Sequence, residues 1–116
     1  MTEVRVFDLE DALERVGDDA ELLVELFDMF MEDCDSNLAL IRQGVASKDQ
    51  EIIERTAHSM KSAVGNLGGM KAHAAAYAVE CAGREGNEEV YQSVVDVFDS
   101  EIQAFKQAFE QYRKSV

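Results

Sequence analysis

The chain has 116 residues, of which 24 are acidic and 11 basic, and its formal net charge of −13 excludes roles that reward a cationic surface, such as binding nucleic acid or an anionic membrane. Apolar residues make up 47% of it, and no apolar run approaches the roughly 18 residues of a membrane span. The sequence therefore reads as a single domain over 1–116, able to bury a core without disulfides or metal.

Cys34 and Cys81 have neither CxxC nor Cys/His ligand spacing and read as buried free thiols. With no basic-apolar signal segment at the N-terminus, the expectation is a cytoplasmic protein. Proline is absent, seven glycines punctuate the chain, and no segment alternates with period two. The expected fold is all-α: an antiparallel, up-down-up-down four-helix bundle with a short extra N-terminal helix.

Asp8 is placed to cap the short helix over about 9–16, with Leu9, Leu13 and Val16 on one side and Gly17 ending it. The next helix starts near Asp18 or Asp19 and runs out at about Ala46. Its Leu23, Leu26, Phe27, Phe30, Cys34, Leu38, Ile41 and Val45 form a wide apolar stripe. Leu22, Met29 and Leu40 lie off one edge of that stripe, and Val24 and Met31 off the other. One edge is expected to be covered by the short helix, while the other is either packed by a neighbour or open to a partner.

A third helix is expected from Ser47 or Lys48 to Asn66, with Gly68 and Gly69 making the turn. An alanine-rich fourth follows over about 70–83. After Gly86, Asn87 is placed to cap a last helix whose Tyr91, Val94, Val95, Phe98, Ile102, Phe105, Phe109 and Tyr112 recur at spacings of three and four.

The third helix carries the chemistry. At about 100° per residue, His58, Lys61, Ser62 and Gly65 share one face, and Ile53, Thr56, Ala57, Met60, Val64 and Leu67 the other. No acidic residue occurs from Arg55 to Val79, a window that holds Arg55, Lys61 and Lys71. A basic island in an acidic body suits a small anion beside His58, such as a phosphoryl group.

His58 has three readings: a buried histidine, a metal ligand or a nucleophile. Burial conflicts with its polar face. A metal site would want a ligand at i+3 or i+4, where Lys61 and Ser62 stand, and Glu54 at i−4 alone makes a weak one. The nucleophile reading leads, because a solvent-facing imidazole offers a lone pair near neutral pH without an activating base.

Lys61, one turn on, can offset charge on a group attached to His58. Gly65 reads as the only glycine in a helix interior, where it costs about 1 kcal/mol relative to alanine. Its position suggests the close approach of a partner, with packing as the alternative. His73 lacks a lysine at i+3 and reads as an exposed helix residue. Neither a hydrolase triad nor a glycine-rich phosphate loop is present, so any phosphoryl donor must be another protein.

The run Ala57-His58-Ser59-Met60-Lys61, followed by Asn66-Leu67-Gly68, resembles the signature of histidine-containing phosphotransfer (HPt) domains. Phe7-Asp8, Val79-Glu80 and Ala82-Gly83-Arg84-Glu85-Gly86 resemble the family more loosely. Ser62 departs from a common Gly, and Ala72, Ala75 and Ala76 depart from larger apolar residues, which suggests a tighter helix pair.

The resemblance implies a phosphocarrier without autonomous kinase activity. His58 would accept a phosphoryl group through Nε2 from a receiver's aspartyl phosphate and pass it to another receiver. Lys61 would stabilise that group, and Arg55, Ser62, Gly65 and Lys71 would face the docking partner. The receiver would supply Mg²⁺, so no cofactor is expected on this chain, which is expected to be a monomer. The competing reading is a helical interaction module without covalent chemistry. A bundle enzyme with a metal between its helices stands third.

Overall fold

In the computed structural model, residues 5–116 are described. They form α1 (Leu9–Arg15), α2 (Ala20–Ser47), α3 (Gln50–Asn66), α4 (Met70–Glu85) and α5 (Glu88–Arg113), with no strand among the described residues. Asp8, Asp19 and Asp49 cap the first three helices, each side chain accepting a backbone N–H three residues on. Asn87 occupies the N-cap position of α5 but makes no side-chain cap bond.

Helix α3 begins later than expected. Lys48 takes a left-handed conformation (φ 57°) that ends α2, and Asp49 then starts α3. A non-glycine residue in that conformation carries no turn signal in the sequence.

The four long helices are antiparallel to their neighbours. Arg42 pairs with Asp96 and Asp99, Asp35 with Lys106, and Asp28 with Arg113. Partner numbers thus fall along α5 as they rise along α2. These pairs place α5, not the short N-terminal helix, against the Val24/Met31 edge of α2. The Leu22/Met29/Leu40 edge is the exposed one, with Met29 61% exposed.

The buried core takes Leu23, Phe27 and Ile41 from α2, Ile53, Met60 and Val64 from α3, Val79 from α4, and Phe98, Ile102, Phe105 and Phe109 from α5. At one end Phe27 stacks on Phe109 with centroids 3.9 Å apart, and Phe7 meets Phe105 and Phe109 at 5.9 and 5.2 Å. Within α1 the buried residue is Ala12, while Leu9, Leu13 and the C-cap residue Val16 that follows the helix are half-buried. Cys34 is buried as expected, but Cys81 is only half-buried because it lies on α4 away from the core-facing Val79 and Ala82.

The segment before α1 clamps the α3–α4 turn. Asp8 N–H donates to the Gly68 carbonyl at 2.8 Å, and Lys71 N–H donates to the Arg5 carbonyl at 3.1 Å. Gly68 has φ +81°, and a Cβ there would lie 2.5 Å from the Asp8 carbonyl oxygen. Only glycine satisfies both conditions. This clamp fixes the register in which α4 returns along α3, and so decides what stands opposite His58.

Gly65 is not the only glycine inside a helix. Gly44 of α2 and Gly83 of α4 both receive the Ile53 side chain, and a Cβ on Gly83 would also lie 2.9 Å from the Glu54 backbone nitrogen. These glycines escaped notice because they sit near the expected ends of their helices. Alanine at Gly83 should overpack a seam that backbone atoms prevent from opening, at a cost of about 1–3 kcal/mol against roughly 1 kcal/mol of helix propensity gained. Gly83→Ala is therefore expected to lower the thermal midpoint. Gly65→Ala should lower it less, since the His73 ring in its way can swing aside at the cost of one exposed hydrogen bond to the Lys61 carbonyl. Thermal melts of the two variants check the contrast.

Candidate functional site

The site lies midway along the α3–α4 seam. Ile53, Ala57, Met60 and Val64 turn into the core and hold α3 in place, which leaves the His58 side chain outside, 62% exposed. The third helix divides between a buried and a polar face as its sequence predicts. Ser62 is exposed one turn beyond His58.

Beneath the imidazole lies Glu80 of α4, whose side chain is 4% exposed. A buried carboxylate requires partners, and three basic side chains converge on this one. His58 Nδ1 lies 3.0 Å from Oε2, Arg84 donates to the same oxygen at 2.8 Å, and Lys61 Nζ stands 2.6 Å from Oε1. Oε1 makes no aligned hydrogen bond, so its contact with Lys61 is an ion pair. Arg84 is itself braced by Glu54 at 2.7 Å.

Burial alone would raise the Glu80 pKa. The contacts with Lys61 and His58 outweigh it and hold the carboxyl below its ordinary value. Glu80 is therefore ionised at neutral pH and can only accept hydrogen bonds. Its partner nitrogen, His58 Nδ1, must carry the proton. In the neutral ring the lone pair is then on Nε2, on the far side of the ring from Glu80.

The depressed pKa has a consequence for stability. A carboxyl that holds its proton less tightly when folded stabilises the fold above the unfolded carboxylate range, near about 4.3 for glutamate. That contribution is lost as pH falls toward the folded value. The wild-type chain should lose stability through this acid range more steeply than Glu80→Gln, which has no such proton to take up. Denaturant unfolding at a series of acid pH values measures the difference.

Lys61 is not a solvated lysine: its side chain is 18% exposed, with Glu80 on one side and the Tyr77 ring, centred 5.0 Å from Nζ, on another. Gly65 lies against His73, whose Nδ1–H donates to the Lys61 carbonyl at 3.1 Å, and a Cβ on Gly65 would meet that nitrogen at 2.8 Å. His73 is exposed, as expected, but it is tied to α3. Arg55 stands at the rim of a shallow depression formed with Glu54, His58, Glu80 and Arg84, and it pairs with Glu51 at 2.8 Å.

The structure does not bring Lys71 into this cluster. It is nine residues from Glu80, half a turn around α4 and about 13 Å along it. Nor is the acid-free window acid-free in space, because Glu80, one residue beyond it, returns to pair with Lys61. Among the described residues no group of three or more His, Cys, Asp and Glu side chains could hold a metal ion, and no helix is long and apolar enough to cross a membrane.

Glu80, Arg84 and Tyr77 are the site residues that sequence reasoning missed. A signal for two of them exists. The pairs His58/Glu80, Lys61/Tyr77 and Gly65/His73 are each symmetric about Gly69 in the α3–α4 turn. Folding the sequence back at that glycine finds each partner.

Comparison with known proteins identifies the family and the fold. Residues 25–108, well over half of the chain, match the family model described as the Hpt domain. A crystal structure of histidine-containing phosphotransfer protein B (HptB) from Pseudomonas aeruginosa PAO1 superposes with a TM-score of 0.85 and covers 98% of this chain and 99% of that one. At 20% sequence identity that likeness shows the fold. A search of curated protein sequences finds no match. The chain belongs to the Hpt domain family, whose members work in phosphorelays by moving phosphoryl groups between a histidine and the aspartates of receiver domains.

Proposed function

We propose that His58 is the phosphoacceptor, taking a phosphoryl group on Nε2 from the aspartyl phosphate of one receiver and delivering it to the aspartate of another. The observation that carries this reading is the hydrogen bond from Nδ1 to buried Glu80, which orients an exposed ring with its lone pair on Nε2. In the forward step the Nε2 lone pair forms the N–P bond. The P–O bond to the receiver's aspartate breaks, and its electron pair returns to that carboxylate. The ring becomes positively charged while Nδ1 still holds its proton, and Glu80 offsets that charge at 3.0 Å. Lys61 supplies a cation to the phosphoryl oxygens.

Phosphoryl transfer rests mainly on positioning and charge stabilisation, so one oriented histidine is sufficient equipment. Mg²⁺ and the acidic pocket come from the receiver. We place the docking surface over the exposed face of α3, with Arg55, Ser62 and Gly65, and over the adjoining edge of α2. Support comes from the exposed Leu22, Met29 and Leu40 and from a largely apolar depression lined by Leu26, Met29, Phe30, Ala63, Asn66 and Leu67. Lys71 contributes at most to the margin. The protein acts in the cytoplasm as a monomeric carrier, a single domain over 1–116.

Incubation with a radiolabelled phospho-receiver should give this chain an acid-labile, base-stable label. A receiver that binds but transfers no label would favour the interaction module.

A further inference from the structure

Tyr77 is the one exposed aromatic on the α3–α4 seam among the described residues, 51% exposed, and no core contact accounts for it. It stands three residues before Glu80, on the same face of α4, and both side chains meet Lys61: the carboxylate at 2.6 Å and the ring centroid at 5.0 Å from Nζ. A lysine on a polar helix face that is only 18% exposed owes that cover to these two neighbours. They hold it by different means. Glu80 neutralises the ammonium, whereas the face of a tyrosine ring attracts a cation through its quadrupole and brings no charge of its own.

We infer that Tyr77 is a positioning residue for phosphoryl transfer, holding the Lys61 ammonium over its ring so that the cation can leave Glu80 for the phosphoryl group without being lost to solvent. The inference rests on the reading of His58 as the phosphoacceptor. An ammonium fully committed to Glu80 would do little for a phosphoryl group on His58, and a free lysine stem would disperse among its rotamers. A neutral wall beside the carboxylate keeps the ammonium near the reacting atoms with its charge intact.

Tyr77→Leu and Tyr77→Phe in the full chain test it, each also combined with Lys61→Ala. In the unphosphorylated protein the Lys61 ε-methylene protons should show an upfield ring-current shift that survives in Tyr77→Phe and disappears in Tyr77→Leu. Transfer from a phosphorylated receiver should slow roughly two- to fivefold in Tyr77→Leu, the factor equivalent to one exposed cation–π contact, and Tyr77→Phe should restore it. Tyr77→Leu should have no further effect once Lys61 is alanine.

Normal transfer by Tyr77→Leu, a Phe variant as slow as Leu, or added slowing in the Lys61→Ala background would each overturn the proposal. If the wild-type chain takes no label on His58, the reading beneath the proposal fails instead, and the ring-current result still reports whether Tyr77 holds Lys61.

Discussion

His58→Gln should take up no phosphoryl group from a labelled receiver, while its helical circular dichroism and thermal midpoint stay close to wild type. The two halves of this expectation come from the same geometry. The imidazole stands outside the core, so its loss opens no cavity, and a glutamine amide can still donate to Glu80. An amide nitrogen has no nucleophilic lone pair, so the chemistry has no route through the substitute. His73, the other histidine, spends its Nδ1 proton on the Lys61 carbonyl and has no carboxylate partner. Label should not move there. Single-turnover labelling of His58→Gln and His73→Gln side by side measures this. Persisting label in the first, or lost label in the second, would contradict the assignment.

Glu80→Gln should give the second largest effect. The substitution preserves shape and leaves an amide oxygen to accept from His58 Nδ1, but it removes the charge that offsets the cationic ring. It also deprives Lys61 and Arg84 of their shared anion. Transfer should slow by about 10- to 150-fold, the rate equivalent of the roughly 1.5–3 kcal/mol carried by a hydrogen bond to a charged group. Rapid-quench transfer kinetics under saturating receiver separate this from weakened docking, since the loss should lie in the transfer step rather than in the receiver concentration required. Wild-type transfer kinetics would reduce Glu80 to a structural ion-pair partner.

Glu80 also shows where the sequence could and could not be read. The helices, the Asp8 cap and the orientation of α3 were legible because they depend on local periodicity and on residues within one turn, whereas the Asp49 cap was not, because the left-handed Lys48 before it carries no turn signal. Ile53, Ala57, Met60 and Val64 alternate with His58 and Ser62 at helical spacing, and nothing distant is needed to decide which side is buried. The partner beneath His58 is a different kind of fact. It comes from the next helix, and its register is fixed by the left-handed Gly68 against the Asp8 carbonyl.

A glutamate in an acidic chain reads as surface. Only the convergence of His58, Lys61 and Arg84 makes Glu80 stable in a buried position. The same reason hid what Lys61 and Gly65 touch. Each meets a side chain of α4, Tyr77 or His73, that helical periodicity in α3 cannot reveal. At the other extreme, the two edges of α2 were equivalent in the sequence and became distinct only when ion pairs to α5 fixed which side that helix covers.

The central claim, that Glu80 holds the Nδ1 proton of His58 so that Nε2 takes the phosphoryl group, is tested most directly by nuclear magnetic resonance of the chain with isotope-labelled histidine rings, before and after phosphorylation by a receiver. The account predicts an Nδ1-protonated His58 tautomer in the free protein and a phosphorus–nitrogen coupling at His58 Nε2 in the phosphorylated one, with the His73 ring signals unphosphorylated. An Nε2-protonated ring in the free protein, or coupling at His58 Nδ1 or on His73, would contradict it.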